Sequence, residues 1–218
     1  SIRPARIDVY DMGFDTARGV PFMTGTAVPG EAELASTPAG GSWSDQGVVD
    51  TLAYLGWTYD YLYERFGRQG YDDKNSTIGA LIHWPNRDVL ENRSPEVARR
   101  IAGSFFCNAS WDPIFKRIHI GDGLPDDFAM ALLGRLCRPF AQAFDIIAHE
   151  LAHGITSESS DLIYADESGA LNEAFSDIIG ISAEYYHAAK GSGLPYPVNY
   201  QMGESRGEAS RDMQAPNS

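Results

Sequence analysis

Basic residues are scarce in this chain. Over 218 residues, 17 Lys and Arg stand against 30 Asp and Glu, a formal net charge of −13. A broad nucleic-acid surface needs clustered cations, so this balance argues against one. Long apolar runs are also missing. No stretch approaches the roughly 20 residues that a membrane-spanning helix requires. Cysteine is limited to Cys107 and Cys137, and neither has a neighbour at metal-ligand spacing. A Cys-rich zinc site is therefore excluded, and the pair reads either as two buried thiols or as one disulfide of an exported protein. There is no Gly-x-Ser-x-Gly elbow and no Gly-rich phosphate loop. The start, Ser1-Ile2-Arg3-Pro4, has neither Met nor an apolar signal core, which reads as a processed or trimmed chain. What remains is 43% hydrophobic, enough for a sizeable core in one or two domains.

Residues 1–43 are rich in Gly, Pro and Thr, with short apolar pieces such as Ile7-Asp8-Val9-Tyr10. They predict short strands and turns. Ser44 or Asp45 then serves as a helix N-cap. Val49, Leu52, Leu55, Tyr59, Leu62 and Phe66 follow at spacings of three and four, and Gly67 is the stop. This is the signature of an amphipathic core helix. Ile78 to His83 reads as a strand. Residues 85–100 read as a charged surface excursion, with a short helix from Pro95 to Ile101. Phe105 to Trp111 and Lys116 to Ile120 are expected to pair as strands, closed by the turn Gly121-Asp122-Gly123. Beyond Asp126 the pattern becomes helical. Phe144, Ile147, Leu151 and Ile155 mark one stripe of a buried helix, and a second long helix runs from about Glu167 to Lys190. Gly169 and Gly180 inside it cost about 1 kcal/mol each relative to Ala, so they point to close packing against another backbone. The layout is α+β, with strands in the first half and helices in the second.

The chemistry concentrates in His149-Glu150-Leu151-Ala152-His153. Residues four apart lie on one helix face, so the two imidazoles can share a zinc ion. Glu150 stands beside the metal, suited to act as general base on a water. The flanking positions Ile146, Ile147, Leu151 and Ile155 are apolar. Two histidines and a carboxylate buried there need a partner, and a metal supplies one. Glu173, 20 residues after His153, completes a His, His, Glu set with one position open. Asp177, one turn further, is placed to accept a hydrogen bond from a ligand histidine. Position 159 is Ser, so the third histidine of the metzincins is absent, and no Gly-x-Met-Glu-Asn sequence occurs.

Several stretches together resemble the thermolysin-type neutral zinc metalloproteases, a gluzincin family. They are the HExxH run, Leu162-Ile163-Tyr164, and Glu167-Ser168-Gly169-Ala170-Leu171-Asn172-Glu173-Ala174-Phe175-Ser176-Asp177. Asn108-Ala109-Ser110-Trp111, Gly121-Asp122-Gly123 and Thr58-Tyr59-Asp60-Tyr61 add to the likeness. The resemblance implies a secreted, extracellular endopeptidase made with a propeptide and acting on peptide or protein substrates. It implies His149, His153 and Glu173 as zinc ligands and Glu150 as catalytic base. Tyr164 would be the oxyanion donor, Asp177 the partner of a ligand histidine, and Asn108, Ala109 and Arg211 the binders of substrate backbone. Ile146 and Phe140 hint at an apolar pocket by position. The implied layout has a β-rich lobe with one long helix over residues 1–143, zinc-binding helices over 144–190, and the start of a helical lobe over 191–218.

The chain also departs from that family. Asp145, Glu184 and Glu204 look like members of a calcium site, but Asn199 and Gln201 stand where carboxylates are expected. Fewer charges hold a hard cation less well, which predicts one calcium or none rather than two. The segments Pro85–Cys107 and Leu124–Phe144 are longer than usual and carry one cysteine each, which implies a Cys107–Cys137 disulfide. The family's helical second lobe is expected to be largely absent from this chain, and the further histidine it carries has no match after Arg211. His83 reads as a strand-end residue and His187 as an exposed helix residue. Phe144, Ile147, Leu151 and Ile155 are expected to lie partly bare without that lobe. Two readings follow: a zinc endopeptidase completed by a C-terminal domain or second chain, or a catalytically weak or inactive metal-binding module derived from one.

Overall fold

The aromatic and apolar residues of Gln46–Phe66 recur every three or four positions, and this stretch forms one 21-residue helix. Asp45 starts it, its carboxylate accepting from the Val48 amide at 2.9 Å. The computed structural model describes residues 4–35, 43–207 and 209–215. In chain order the elements are β1 (Ile7–Asp11), α1 (Thr16–Met23), α2 (Gln46–Phe66), β2 (Ile78–Ile82), α3 (Pro95–Ile101), β3 (Ala109–Asp112), β4 (Arg117–Ile120), α4 (Asp126–Leu133), α5 (Phe144–Ser159), α6 (Asp166–Ala189), β5 (Gln201–Met202) and β6 (Arg211–Asp212). The fold is α+β. The chain forms two compact units that interleave in sequence. One holds Ser1–Ile7, Leu52–Ile78 and Ala143–Ser218, and the other Asp8–Thr51 and Gly79–Gln142. Residues 52–78 thus join the zinc-motif helices rather than the remainder of the first 143 residues.

The helical unit is built on the long part of α2 with α5 and α6. Phe144 stacks on Tyr54 at 5.2 Å and meets Trp57 edge-on at 5.6 Å. Phe144, Ile147, Leu151 and Ile155 are all buried, so the bare stripe expected on α5 does not exist. Tyr54 and Trp57 of α2 cover Phe144 at the start of this stripe, and α6 packs along α5. His187 also departs from expectation. It is 4% exposed, its Nε2 lies 2.8 Å from the Trp57 carbonyl oxygen, and its ring stacks on Trp57. Leu171 and Ile178 on α6 are instead exposed, at 59% and 55%. Gly180 behaves as its helix-interior position predicts. A Cβ there would lie 2.6 Å from the Asp145 carbonyl oxygen, so only glycine lets the α6 and α5 backbones approach this closely. A short β5–β6 hairpin, pairing Met202 with Arg211, follows the helices.

The other unit carries a four-stranded sheet in the order β1-β2-β4-β3. β4 runs parallel to β2 and antiparallel to β3, and β3 is an edge strand. Its core includes Met12, Phe22, Leu81 and Trp84. The expectation of strands and turns over residues 1–43 misses α1, which Asp15 caps by accepting from the Ala17 and Arg18 amides. Gly19 and Pro21 hide this helix from a propensity reading. Residues 36–42 lie outside the described residues. Phe105 and Phe106 belong to a π-helical turn over Ala102–Phe106 rather than to a strand. A disulfide joins Cys107 to Cys137, with their Cα atoms 5.4 Å apart. His83 does follow a strand directly, and it is buried among carboxylates. Its Nδ1 lies 3.0 Å from Asp11, and its Nε2 lies 3.3 Å from Asp122 and 3.8 Å from Asp45.

Candidate metal centre

Helical spacing sets the geometry of the centre. His149 and His153, one turn apart on α5, bring their Nε2 atoms to 2.9 Å. Glu173 projects from α6 with Oε2 3.5 Å from His149 Nε2 and Oε1 3.4 Å from His153 Nε2. Among the described residues, these three form the group of metal-ligand type whose atoms all lie within 4.8 Å of one another.

The outer nitrogens decide what the inner ones can do. His149 Nδ1 lies 2.8 Å from Asp177 Oδ1, and His153 Nδ1 lies 2.8 Å from Asn172 Oδ1. A proton on each Nδ1 faces an oxygen, and in that tautomer both Nε2 atoms present lone pairs to each other. Two lone pairs at 2.9 Å, with a carboxylate beside them, repel unless a cation lies between. The donor set of two imidazoles and a carboxylate fits zinc, and it leaves a fourth position for water or substrate.

The surroundings hold these groups in place. Burial pulls the His149 imidazole down, but Asp177 and the nearby Glu150 and Glu173 carboxylates hold its pKa above the ordinary value. Burial pushes Asp177 up, and His149 with Arg211 more than reverses this. Arg211 Nη2 lies 2.6 Å from Asp177 Oδ1 and 3.7 Å from Glu173 Oε2. Glu150 is buried, and its charge acts on His149, Tyr164 and Arg211. The Tyr164 hydroxyl donates to Glu173 Oε1. Burial and that hydrogen bond push the phenol up to about 12, so it remains a donor at neutral pH. The sequence reading misses Asn172 and Ser176, the latter with Oγ 3.2 Å from His153 Nδ1. They are polar residues one turn apart on α6, and that shared face is the signal that could have found them. Ile146 and Phe140 are each buried. Asn108 and Ala109 belong to the sheet unit, at the start of edge strand β3.

A second carboxylate cluster occupies the helical unit. Asp145 is 1% exposed. Its Oδ1 accepts from the Ile146 amide at 2.8 Å and its Oδ2 from the Gly203 amide. Burial raises Asp145 to about 6. Burial, then the charges of Asp145 and Glu204, raise Glu184 to about 8. The carboxylate oxygens of Glu184 and Glu204 are buried without a well-formed hydrogen bond. Asn199 neighbours Glu204, while Gln201 is exposed. Buried carboxylates in this condition suit a hard cation, although their oxygens do not converge as the ligand atoms of His149, His153 and Glu173 do.

Comparison with known proteins places this centre in a family. Residues 3–157 match the thermolysin metallopeptidase catalytic domain, and residues 160–218 match the thermolysin metallopeptidase alpha-helical domain. The chain belongs to the thermolysin family of metallopeptidases. Neutral protease NprE of Bacillus pumilus is 33% identical over 153 residues, covering 70% of this chain and 41% of the relative. A bacillolysin of Brevibacillus brevis is 30% identical over 207 residues, covering 93% and 32%. An extracellular elastase of Staphylococcus epidermidis is 36% identical over 132 residues, covering 61% and 21%. Among solved structures, the precursor of protealysin, a metalloproteinase from Serratia proteamaculans, aligns with a TM-score of 0.61 at 25% identity. That alignment covers 85% of this chain and 45% of that one. The chain spans less than half the length of these relatives. No helix among the described residues is long and apolar enough to cross a membrane.

Proposed function

We propose that this chain carries the zinc-binding and peptide-hydrolysing centre of a secreted endopeptidase. The observation that carries the reading is the convergence of His149, His153 and Glu173, with both histidine Nδ1 atoms facing oxygens. These three residues hold zinc. When bound, zinc supplies Lewis acidity that polarises a carbonyl and acidifies water. Glu150 takes a proton from the attacking water and returns it to the leaving amine nitrogen. Tyr164, protonated at neutral pH, donates to the oxygen that gains charge, exchanging Glu173 for substrate. Asp177 and Asn172 keep the two imidazoles in the ligand tautomer. Arg211, besides holding Asp177, contributes to substrate binding. Asn108 and Ala109 pair with substrate backbone as the end of an edge strand.

One calcium ion, held by Asp145, Glu184 and Glu204, completes the reading, supported by the buried Glu184 and Glu204 oxygens that have no well-formed hydrogen bond. The named relatives include an extracellular elastase and a protease precursor, and a buried disulfide suits an oxidising compartment. Secretion as a propeptide-bearing precursor follows from that reading, as does a further helical domain or second chain completing the site. The deciding experiment is metal analysis of the purified protein beside hydrolysis of casein, for the natural chain and for Glu150→Gln. One zinc per chain with activity only when Glu150 is present supports the endopeptidase. Zinc without hydrolysis in the natural protein supports a metal-binding module derived from such a protease.

A further inference from the structure

The chain immediately before edge strand β3 is held in an unusual way. Cys107 precedes Asn108 and Ala109, and its disulfide partner Cys137 lies 30 residues further on. Between the two cysteine-bearing segments runs the turn 121–124. The Gly121 amide donates to the Asn108 carbonyl oxygen at 2.9 Å, and the Gly123 amide donates to that of Phe106 at 3.0 Å. On the other side, the Leu124 amide donates to the Cys137 carbonyl oxygen at 2.6 Å, and the Phe140 amide to that of Gly121 at 3.0 Å. Three backbone segments thus form a stack: 106–108, then 121–124, then 137–140.

At Gly121 and Gly123 the middle layer has no room for a side chain. A Cβ on Gly121 would lie 2.4 Å from the Phe106 carbonyl oxygen. One on Gly123, whose φ is +69°, would lie 2.4 Å from that of Cys137. The disulfide joins the two outer layers covalently and is itself buried. Another side-chain tie on the 134–139 segment is the exposed Arg138–Asp126 ion pair, a weak restraint.

The stack sets which backbone groups the strand offers. Ala109 pairs with Ile120 and Ser110 with His119 in an antiparallel ladder. The hydrogen bond between Asn108 and Gly121 makes that position a bonded one. By the alternation of such ladders, the next residue, Ala109, directs its N–H and C=O away from β4, toward the free edge. A slip of one residue at the root of β3 would turn these groups inward.

The structure assigns the Cys107–Cys137 disulfide a positioning role in peptide binding. By clamping the 121–124 turn against residues 106–108, it fixes the register of Asn108 and Ala109, the groups that receive substrate backbone. This inference rests on the reading of β3 as the substrate edge. It predicts that breaking the bond weakens substrate binding more than it slows the chemical step, because the zinc donors lie on other elements.

The test uses the longest natural form of the protein and its double variant Cys107→Ala/Cys137→Ala. In parallel, the natural protein is treated with a dithiol, which supplies two electrons and two protons, converts the bond to two thiols and is itself oxidised to a cyclic disulfide. Four quantities are read: KM and kcat on a peptide extended on both sides of the cut, zinc content, and amide hydrogen exchange. The expected result is a rise in KM of about tenfold, kcat within about threefold of the natural value, and unchanged zinc. Exchange should speed up at Gly121, Gly123 and Leu124, whose amides hold the stack together, but not in α5 or α6. Unchanged exchange at these amides, or a loss confined to kcat, overturns the positioning role. Since exchange is read without turnover, a poorly active variant still decides the matter. Ala109→Pro, which removes the outward N–H, tests the underlying reading separately. If KM is insensitive to that change, the substrate edge is wrong whatever the disulfide does.

Discussion

Asp177 Oδ1 lies 2.8 Å from His149 Nδ1 and 2.6 Å from Arg211 Nη2, so one buried carboxylate orients a candidate zinc ligand and anchors the arginine that follows the helices. Asp177→Asn keeps the shape and removes the charge. The expected outcome is a 10- to 100-fold weaker zinc affinity, as is typical when a carboxylate behind a metal-bound histidine is lost. Competition with a chelator of known affinity measures it. An unchanged zinc affinity would show that Asp177 serves Arg211 alone.

Glu150→Gln tests the base directly. Loss of general base catalysis typically costs about 10²–10⁴ in rate. Zinc content should stay at the natural level, because Glu150 is outside the group of three converging ligands. Metal loss together with activity would place Glu150 among the ligands.

The Asp145, Glu184 and Glu204 cluster predicts a chelator effect that depends on pH. Burial raises Asp145 to about 6 and Glu184 to about 8. With no cation bound, the folded state holds protons that the unfolded state has released, so stability falls as pH rises from about 4 to 8. A bound calcium ion removes that loss. Calcium removal should therefore lower Tm little at pH 5 and markedly at pH 8, and metal analysis should find one calcium per chain. An equal chelator effect at both values would remove the cluster from the argument.

His83 and Asp122 predict a second dependence, in the sheet unit. Burial raises Asp122 to about 7, against the attraction of His83. Burial lowers His83, but Asp11, Asp122 and Asp45 hold it above its ordinary value. Both groups bind protons more tightly when folded. The Asp122 contribution is lost between about pH 4 and 7, and that of His83 as pH rises through its raised pKa. Asp122→Asn should flatten urea midpoints measured between pH 4 and 8 and leave the variant the more stable form at pH 8. A slope equal to that of the natural protein would refute the assignment.

Gly180→Ala sets two effects against each other. Helix propensity gains about 1 kcal/mol. The added methyl, 2.6 Å from the Asp145 carbonyl oxygen, forces the helices apart at a cost of about 1–3 kcal/mol. The expected net result is a Tm lower by a few degrees in a thermal melt. A higher Tm would mean that α5 and α6 adjust freely.

Local patterns carry the parts of this protein that depend on near neighbours. The candidate zinc pair is readable because 3.6 residues per turn brings His149 and His153 to one face whatever surrounds the helix, and the same period sets Asp177 one turn from Glu173. The helix over 46–66 is readable for the same reason, and a strand pair around Trp111 and Ile118 is readable from its short apolar runs, though its first strand starts at Ala109 rather than Phe105. Gly180 announces a close approach, though not that its neighbour is Asp145.

Long-range packing decides the rest. No local rule places the His187 ring on Trp57, 130 residues away in sequence, or covers Phe144 with Tyr54. None tells which apolar stripe stays bare, and here it is Leu171 and Ile178 of α6 rather than the face of α5. The α1 helix needs the Asp15 cap to outweigh Gly19 and Pro21. The sequence by itself determined the residue types and turn-by-turn spacing of the zinc donors and the pairing of its only two cysteines as one of two alternatives. The tertiary structure alone decided that those cysteines clamp the root of an edge strand and that Asn172 and Ser176 face His153. Contacts between distant segments form where burial and backbone hydrogen bonding are satisfied together, and no short stretch of sequence contains both partners.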